Sequence, residues 1–404
     1  MRRVTLVRGA RQLLTLHGPN GPRRGADLRN LGLIQDGSVL IVDGLIADAG
    51  PSRRVENLAL ARQAKEIDAT GRLVMPGFVD SHTQLVAGPA RGDTLAVART
   101  IQELSPRTLQ AHARRAVEDA VRHGTTTLES KSGFGLIEAN EIKILRIHTA
   151  LEKQTLPLVS TFLAAHVSPE YQDRRDEYLE CICSHLLPLV YRRKLAEFAD
   201  IRSADDGFSV DQARRYLAAA RQLGFALKTQ TGRRSQAGAI RMAIQAGVVS
   251  VDRLTDVTPE DAALLAQSPT LATMLPGEAF HLGTHRYAPA RMLIDSGAAV
   301  SLASNFNPET CPSQNMQMTI ALACREMGMT PAEALSAVTV NAAHALRRAG
   351  RIGSLEAGKS ADLLILGAPD YREIPYHFGV NLVELVMKGG TVLMQRSEVK
   401  WPAN

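Results

Sequence analysis

Cysteine is scarce and poorly placed in this chain of 404 residues: Cys181, Cys183, Cys311 and Cys324 are all there are, and no two form a C-x-x-C pair. The Cys181-Ile182-Cys183 spacing is too tight for a relaxed bridge, so the pattern excludes a disulfide scaffold and points to reduced thiols in the cytoplasm. Aromatic residues make up only 4% of the chain, with a single tryptophan. The formal charge of +6 comes from scattered arginines, with no basic run and no interleaved aromatics, which argues against a nucleic-acid surface. No apolar run approaches membrane-spanning length, and Arg8 and Arg11 interrupt the N-terminal apolar stretch before it becomes a signal-peptide core. The expectation is a globular cytoplasmic protein with no membrane partner. At 45% apolar residues the chain can bury one large core, or a large core and a small satellite domain.

Residues 1 to about 70 carry short apolar pieces separated by turns, among them an Asp43-Gly44 pair between Val42 and Leu45, a strong hairpin signal. From Leu73 onward, strand-like apolar runs alternate with amphipathic helices, the pattern of β/α repeats around a parallel sheet. Strands are expected at 73–80, 124–130, 158–165, 195–201, 224–230, 248–252, 270–275 and 298–304, and eight is the number that closes a barrel. Ser209 with Gln212 forms a capping box for a helix over 209–223, stopped by Gly224. Thr330, Pro331 and Glu333 start another, expected to run into Asn341-Ala342-Ala343-His344. Beyond Gly353 the chain returns to strands. The fold class is therefore α/β: a (β/α)₈ TIM barrel over 71–354, plus a small β-sandwich domain built from both termini, 1–70 and 355–404.

The segment Gly77-Phe78-Val79-Asp80-Ser81-His82-Thr83-Gln84 has the form of a strand delivering two ligands at i and i+2, which alternation sends to one face. It offers His82 and Gln84. A neutral imidazole binds Zn²⁺ tightly, whereas a carboxamide oxygen has no charge to give and suits harder ions such as Ca²⁺ or Mg²⁺. The pair is half of a transition-metal site.

Several longer stretches carry a resemblance. Val74-Met75-Pro76-Gly77-Phe78-Val79-Asp80-Ser81-His82, the tail from Gly353 to Leu363, and the β domain made of both termini look like the amidohydrolase superfamily. Glu129 to Gly135 (ESKSGFG), Thr161 to His166 (TFLAAH), Phe198 to Ile201 (FADI), Ser304 to Pro308 (SNFNP) and Ile374 to Asn381 (IPYHFGVN) resemble, within it, the imidazolonepropionase family, ring-opening hydrolases of histidine breakdown. That resemblance implies one zinc or iron ion, bound by an H-x-H pair, a histidine in an I-H-A-D-E segment and the aspartate of a T-D-F-N-P motif. In this chain those four positions are His82, Gln84, Gln230 and Asn305, so only His82 survives as a good ligand. The glutamate of I-H-A-D-E becomes Arg233, and a histidine in an S-A-D-H-L segment becomes Arg253. The resemblance further implies substrate contacts from Arg91, from Phe134 in place of a tyrosine, and from His166, while the segment 92–106 looks shortened.

One imidazole and three carboxamides do not outweigh dehydration of a divalent ion, and Asn305 cannot accept a proton from attacking water. A guanidinium about 4 Å from Zn²⁺ would add roughly 8 kcal/mol of repulsion at an effective dielectric of about 20, as an upper guide. The expected reading is a metal-free pseudoenzyme, without a cofactor, that binds a small anionic metabolite or a partner. Two alternatives stand beside it: a working hydrolase of a cyclic amide or amidine, and a non-catalytic subunit of an active relative. A homodimer is expected from the family. Plainer roles exist for each residue: His82 and His166 as hydrogen-bonded barrel-mouth residues, Arg91 as a cap, and Arg233 and Arg253 as partners of acids such as Asp252 or Glu278. Cys311 and Cys324 read as buried fillers, and His281 and His285 as loop histidines.

Overall fold

The Asp43-Gly44 pair makes the tight turn that its sequence demands, with φ of +50° and +83° at the two positions, the left-handed pair a two-residue hairpin requires. It joins β2 to β3 in a series that opens with β1 (Val4–Leu14), β2 (Leu33–Val42), β3 (Leu45–Pro51), β4 (Lys65–Asp68) and β5 (Leu73–Pro76). The chain then runs through β6 (Phe78–Asp80), β7 (Thr125–Lys131), β8 (Leu158–Ala164), β9 (Phe198–Ser203), β10 (Ala226–Thr231), β11 (Ser250–Arg253), β12 (Leu271–Met274) and β13 (Val300–Leu302). It returns as β14 (Leu363–Leu366), β15 (Val383–Lys388) and β16 (Thr391–Gln395). This computed structural model describes residues 2–89, 92–205, 207–232 and 236–396.

Strands β6 to β13 pair in chain order, and each ladder is parallel. Helices lie between most of them, giving the expected eight-stranded α/β barrel. Its seam, between the ends of β6 and β13, is closed by short contacts. A parallel bridge joins Thr83 to Phe306, and Asn305 N donates to His82 O at 3.1 Å. Gln84 N donates to Phe306 O at 2.8 Å. The seam is thus made by the segments that carry His82, Gln84 and Asn305.

The termini form a second, mixed sheet in the order β16-β15-β14-β5-β1-β2-β3, with β4 beside β1. The strand expected over 73–80 is in fact two. Leu73–Pro76 pairs with β1 and β14 in the terminal sheet, and Phe78–Asp80 enters the barrel. Gly77 is the pivot, donating its N–H to Asp362 O at 3.0 Å, and a Cβ there would lie 2.3 Å from Thr126 side-chain atoms. Both halves are apolar and fully buried, so composition does not mark the break. One continuous core includes Leu14, Leu73 and Leu364 of the sheet with Phe162, Ile201 and Val251 of the barrel.

The capping box of Ser209 and Gln212 and the left-handed Gly224 bound the helix Val210–Leu223 as expected. Thr330 and Glu333 cap Pro331–Ala337, but this helix does not run on into 341–344. Thr339 leaves helical geometry at φ −126° and ψ −92°, and a separate helix spans Val340–Ala345. No helix among the described residues is long and apolar enough to cross a membrane.

Candidate functional site

Alternation along the barrel strands points several charged side chains into the interior, where none reaches solvent. Lys131 at the end of β7 sits among carboxylates, its Nζ 2.6 Å from Asp200 Oδ2, 3.2 Å from Glu129 Oε1 and 3.3 Å from Asp252 Oδ2. Lys228 of β10 donates to Glu129 Oε2 at 2.7 Å and to Ser81 O at 3.2 Å. Burial alone would strip the proton from Lys131, but Asp200, Glu129 and Asp252 together raise its pKa. Burial alone would likewise protonate Asp252, yet Lys131 and Lys228 outweigh it and hold this carboxyl well below its usual range. Asp200 takes the opposite course: burial pushes it up to about 6, and its Oδ1 meets no hydrogen-bond partner among the described residues.

His82 stands at the edge of this cluster, with Nδ1 2.6 Å from Asp252 Oδ2. Burial, reinforced by the Lys131 charge, lowers its pKa to about 4, so the ring is neutral near pH 7 and the Asp252 contact is a hydrogen bond, not an ion pair. Because ionised Asp252 can only accept, the proton is assigned to Nδ1 and the lone pair to Nε2. Gln84 donates through Nε2 to Ser132 O at 2.9 Å. Asn305, held at φ +58°, donates through Nδ2 to Glu278 Oε2 and Thr310 Oγ1, both at 3.4 Å. Glu278 also accepts from Arg253 Nη1 through Oε1. One carboxylate thus joins two positions that the resemblance links to the reacting centre.

Above this layer lies a cavity of about 410 Å³, lined by Gln84, Phe134, His166, Arg202, Gln230 and Arg253 among others. Phe134 is presented by the loop after β7, whose Gly133 and Gly135 N–H groups donate to the buried Glu141 carboxylate at 3.1 and 2.6 Å. Its ring stacks on His166 with centroids 5.7 Å apart and planes 20° apart. His166 Nδ1 lies 3.4 Å from Thr94 Oγ1, which donates to Glu309 Oε2 at 3.2 Å.

Five of the residues singled out from sequence, Gln84, Phe134, His166, Gln230 and Arg253, therefore line one cavity. His82 and Asn305 are buried outside its lining. Arg91 and Arg233 lie outside the described residues. Of the two acids considered for Arg253, Glu278 is its partner, and Asp252 serves His82 and the lysines. Cys311 is buried and donates through Sγ to Ser304 O at 3.2 Å, with burial pushing the thiol up to about 12, which suits a filler and not a nucleophile. His281 and His285 are exposed. Sequence reasoning missed the charged interior. Its signal was charge at i and i+2 inside otherwise apolar strands, Glu129 with Lys131 and Asp80 with His82.

The chain belongs to the amidohydrolase family, whose profile matches residues 73–393. Within it the chain is imidazolonepropionase-like. It is 39% identical to an imidazolonepropionase of Geobacillus kaustophilus, over 98% of this chain and 99% of that one. It is 36% identical to the imidazolonepropionase of Alkaliphilus metalliredigens, with the same coverage. Among solved structures, a triazine hydrolase variant superposes with a TM-score of 0.75 at 17% identity, covering 97% of this chain and 95% of that one. Aspergillus niger ochratoxinase gives 0.73 at 17%, covering 98% and 96%. These two show the fold.

Amidohydrolases typically depend on a metal, so the donors at the barrel end decide whether this chain fits one. Among the described residues, no group of three or more His, Cys, Asp or Glu side chains is disposed to hold an ion. His82 can offer Nε2, whereas Gln84 and Asn305, whose NH2 groups donate to Ser132 O and Glu278, have only uncharged amide oxygens to offer. One imidazole with neutral amides beside a guanidinium does not fit a firmly held zinc or iron ion.

Proposed function

We propose that this protein is an imidazolonepropionase-like barrel that works without a divalent ion, a pseudoenzyme that binds a small polar metabolite, anionic in character, at the barrel mouth. The observation that carries this reading is the engagement of Asn305 and Arg253 by Glu278, which gives the mouth an internal cation and a carboxamide where metal hydrolysis needs an ion and a base. The cavity itself is retained and has the size of a small-molecule site. Turnover of imidazolonepropionate by purified protein should be no faster than in buffer, with or without added Zn²⁺ or Fe²⁺. Ring opening that depends on His82 would overturn the proposal.

A second reading is favoured by the relatives, which carry the name of an active enzyme at 36–39% identity over nearly the whole chain. On that reading the protein opens a cyclic amide or amidine, and His82→Ala abolishes turnover. The same assay decides between the two.

A further inference from the structure

The Arg253 guanidinium is buried, with the residue 9% exposed, and is far from satisfied. Its Nη1 donates to Glu278, its Nε meets no acceptor, and no other hydrogen bond of the group occurs among the described residues. A guanidinium carries five N–H donors, and leaving a buried one such as the Nε–H unmet is unfavourable. Gln230, on the neighbouring strand, is also buried and also lines the cavity, and its side chain likewise makes no hydrogen bond with a described residue. Two under-satisfied polar side chains thus face one cavity from the ends of β10 and β11. The backbone contributes: Arg253 and Leu254 adopt φ of +86° and +60°, a conformation that side-chain-bearing residues seldom take, at the point where the strand ends and the guanidinium meets the cavity.

Resting on the metal-free reading above, the geometry points to Arg253 and Gln230 as the anchor for a carboxylate, the guanidinium giving charged donors and the Gln230 amide a neutral one. Glu278 fixes the guanidinium through Nη1 and leaves Nη2, which is not sealed off as Nε is, for the ligand. Ring order supplies the rest of the ligand. β7 lies four strands from β11 in the circle of eight, so the Phe134–His166 stack faces Arg253 across the mouth. The ligand class is a small planar carboxylate, its flat portion against Phe134 and its anionic end at Arg253. Arg202 and Arg253 in the cavity lining are balanced by Asp205 and Glu309, which favours a ligand of low net charge.

Calorimetric titration with benzoate and with its neutral isostere benzamide tests this, using full-length protein of measured metal content. Benzoate should bind, and benzamide should bind at least about tenfold more weakly. Arg253→Met should weaken benzoate by about tenfold or more, and Glu278→Gln, which removes the competing carboxylate but keeps its shape, should tighten it severalfold. If Arg253→Met does not fold, Glu278→Gln decides alone, because a purely structural ion pair predicts weaker or unchanged binding there. Metal-free protein that ignores benzoate, or binds it equally well without Arg253, overturns the anchor and leaves the metal-free reading standing. Metal-bearing protein that still needs Arg253 for benzoate overturns the metal-free reading and keeps the anchor. Metal-bearing protein indifferent to Arg253 overturns both.

Discussion

Asp252 holds His82 across the barrel interior, Oδ2 to Nδ1 at 2.6 Å, while the next residue along the chain, Arg253, turns to Glu278. Two adjacent residues thus serve two layers: Asp252 the sealed charge cluster, Arg253 the open mouth. The sealed cluster bears on stability, and the first prediction tests it.

Lys131→Met leaves Asp200, Glu129 and Asp252 facing one another without their shared cation. Breaking a buried ion pair from one side costs about 3–5 kcal/mol, because the remaining charge stays desolvated. Arg214→Ala, which breaks an exposed pair with Asp211, should change stability by less than about 1 kcal/mol. Urea denaturation of both variants checks the contrast, and equal effects would mean the buried cluster is not the stabilising element.

Acid should expose His148. This buried imidazole lies 2.9 Å from Ser130 Oγ and 3.0 Å from Ser160 Oγ, and burial lowers its pKa to about 3 from the ordinary 6.5. Between those values the unfolded chain binds a proton that the folded chain refuses, so the contribution of His148 is complete above pH 6.5 and is lost as pH falls toward 3. The slope is at most about 1.4 kcal/mol per pH unit. Asp80 and Asp200, raised to about 6 by burial, act with the opposite sign, stabilising in acid and losing that contribution as pH rises through 6. Measuring wild type against His148→Gln at each pH isolates the histidine. A stability difference that does not change between pH 7 and 4.5 would contradict the assignment.

Gly77→Ala forces a methyl group to within 2.3 Å of Thr126 at the pivot between the two sheets. Such overpacking costs about 1–3 kcal/mol. Thermal denaturation should show a lower Tm, and Gly77→Ala with Thr126→Ser should recover part of the loss, since Thr126 Cγ2 is one of the clashing atoms. Failure of the second substitution to recover anything would place the strain elsewhere.

Where local chemistry fixes structure, the sequence was readable. The Asp43-Gly44 turn, both capping boxes and the parallel barrel follow from residues a few positions apart. What stayed hidden depends on distant partners. The split of 73–80 at Gly77 is set by Asp362 O, which accepts from its N–H, and the helix break at Thr339 is not marked by a proline or glycine. At the site, the substituted positions could be read one by one and Glu278 was among the acids offered to Arg253, but its further link to Asn305, 27 residues away, could not be read. Glu141, which fixes the loop carrying Phe134, gave no signal beyond a helix-start carboxylate.

Rebuilding the donors should rebuild the ion site. A protein carrying Gln84→His, Gln230→His and Asn305→Asp, with Arg253→His to remove the internal cation, gains three imidazoles, two of them at the ligand positions, and a carboxylate beside His82. It should keep about one equivalent of Zn²⁺ through gel filtration. A folded variant that retains none would show that the four positions do not converge as the resemblance implies.

The most direct test of the account is elemental analysis of the wild-type protein, purified without chelators from cells supplied with zinc and iron. Zn, Fe, Ni and Mn should each be found at well below about 0.2 equivalents per chain, since one imidazole among amides binds them weakly. A transition metal near one equivalent, retained through dialysis and lost in His82→Ala, would contradict it.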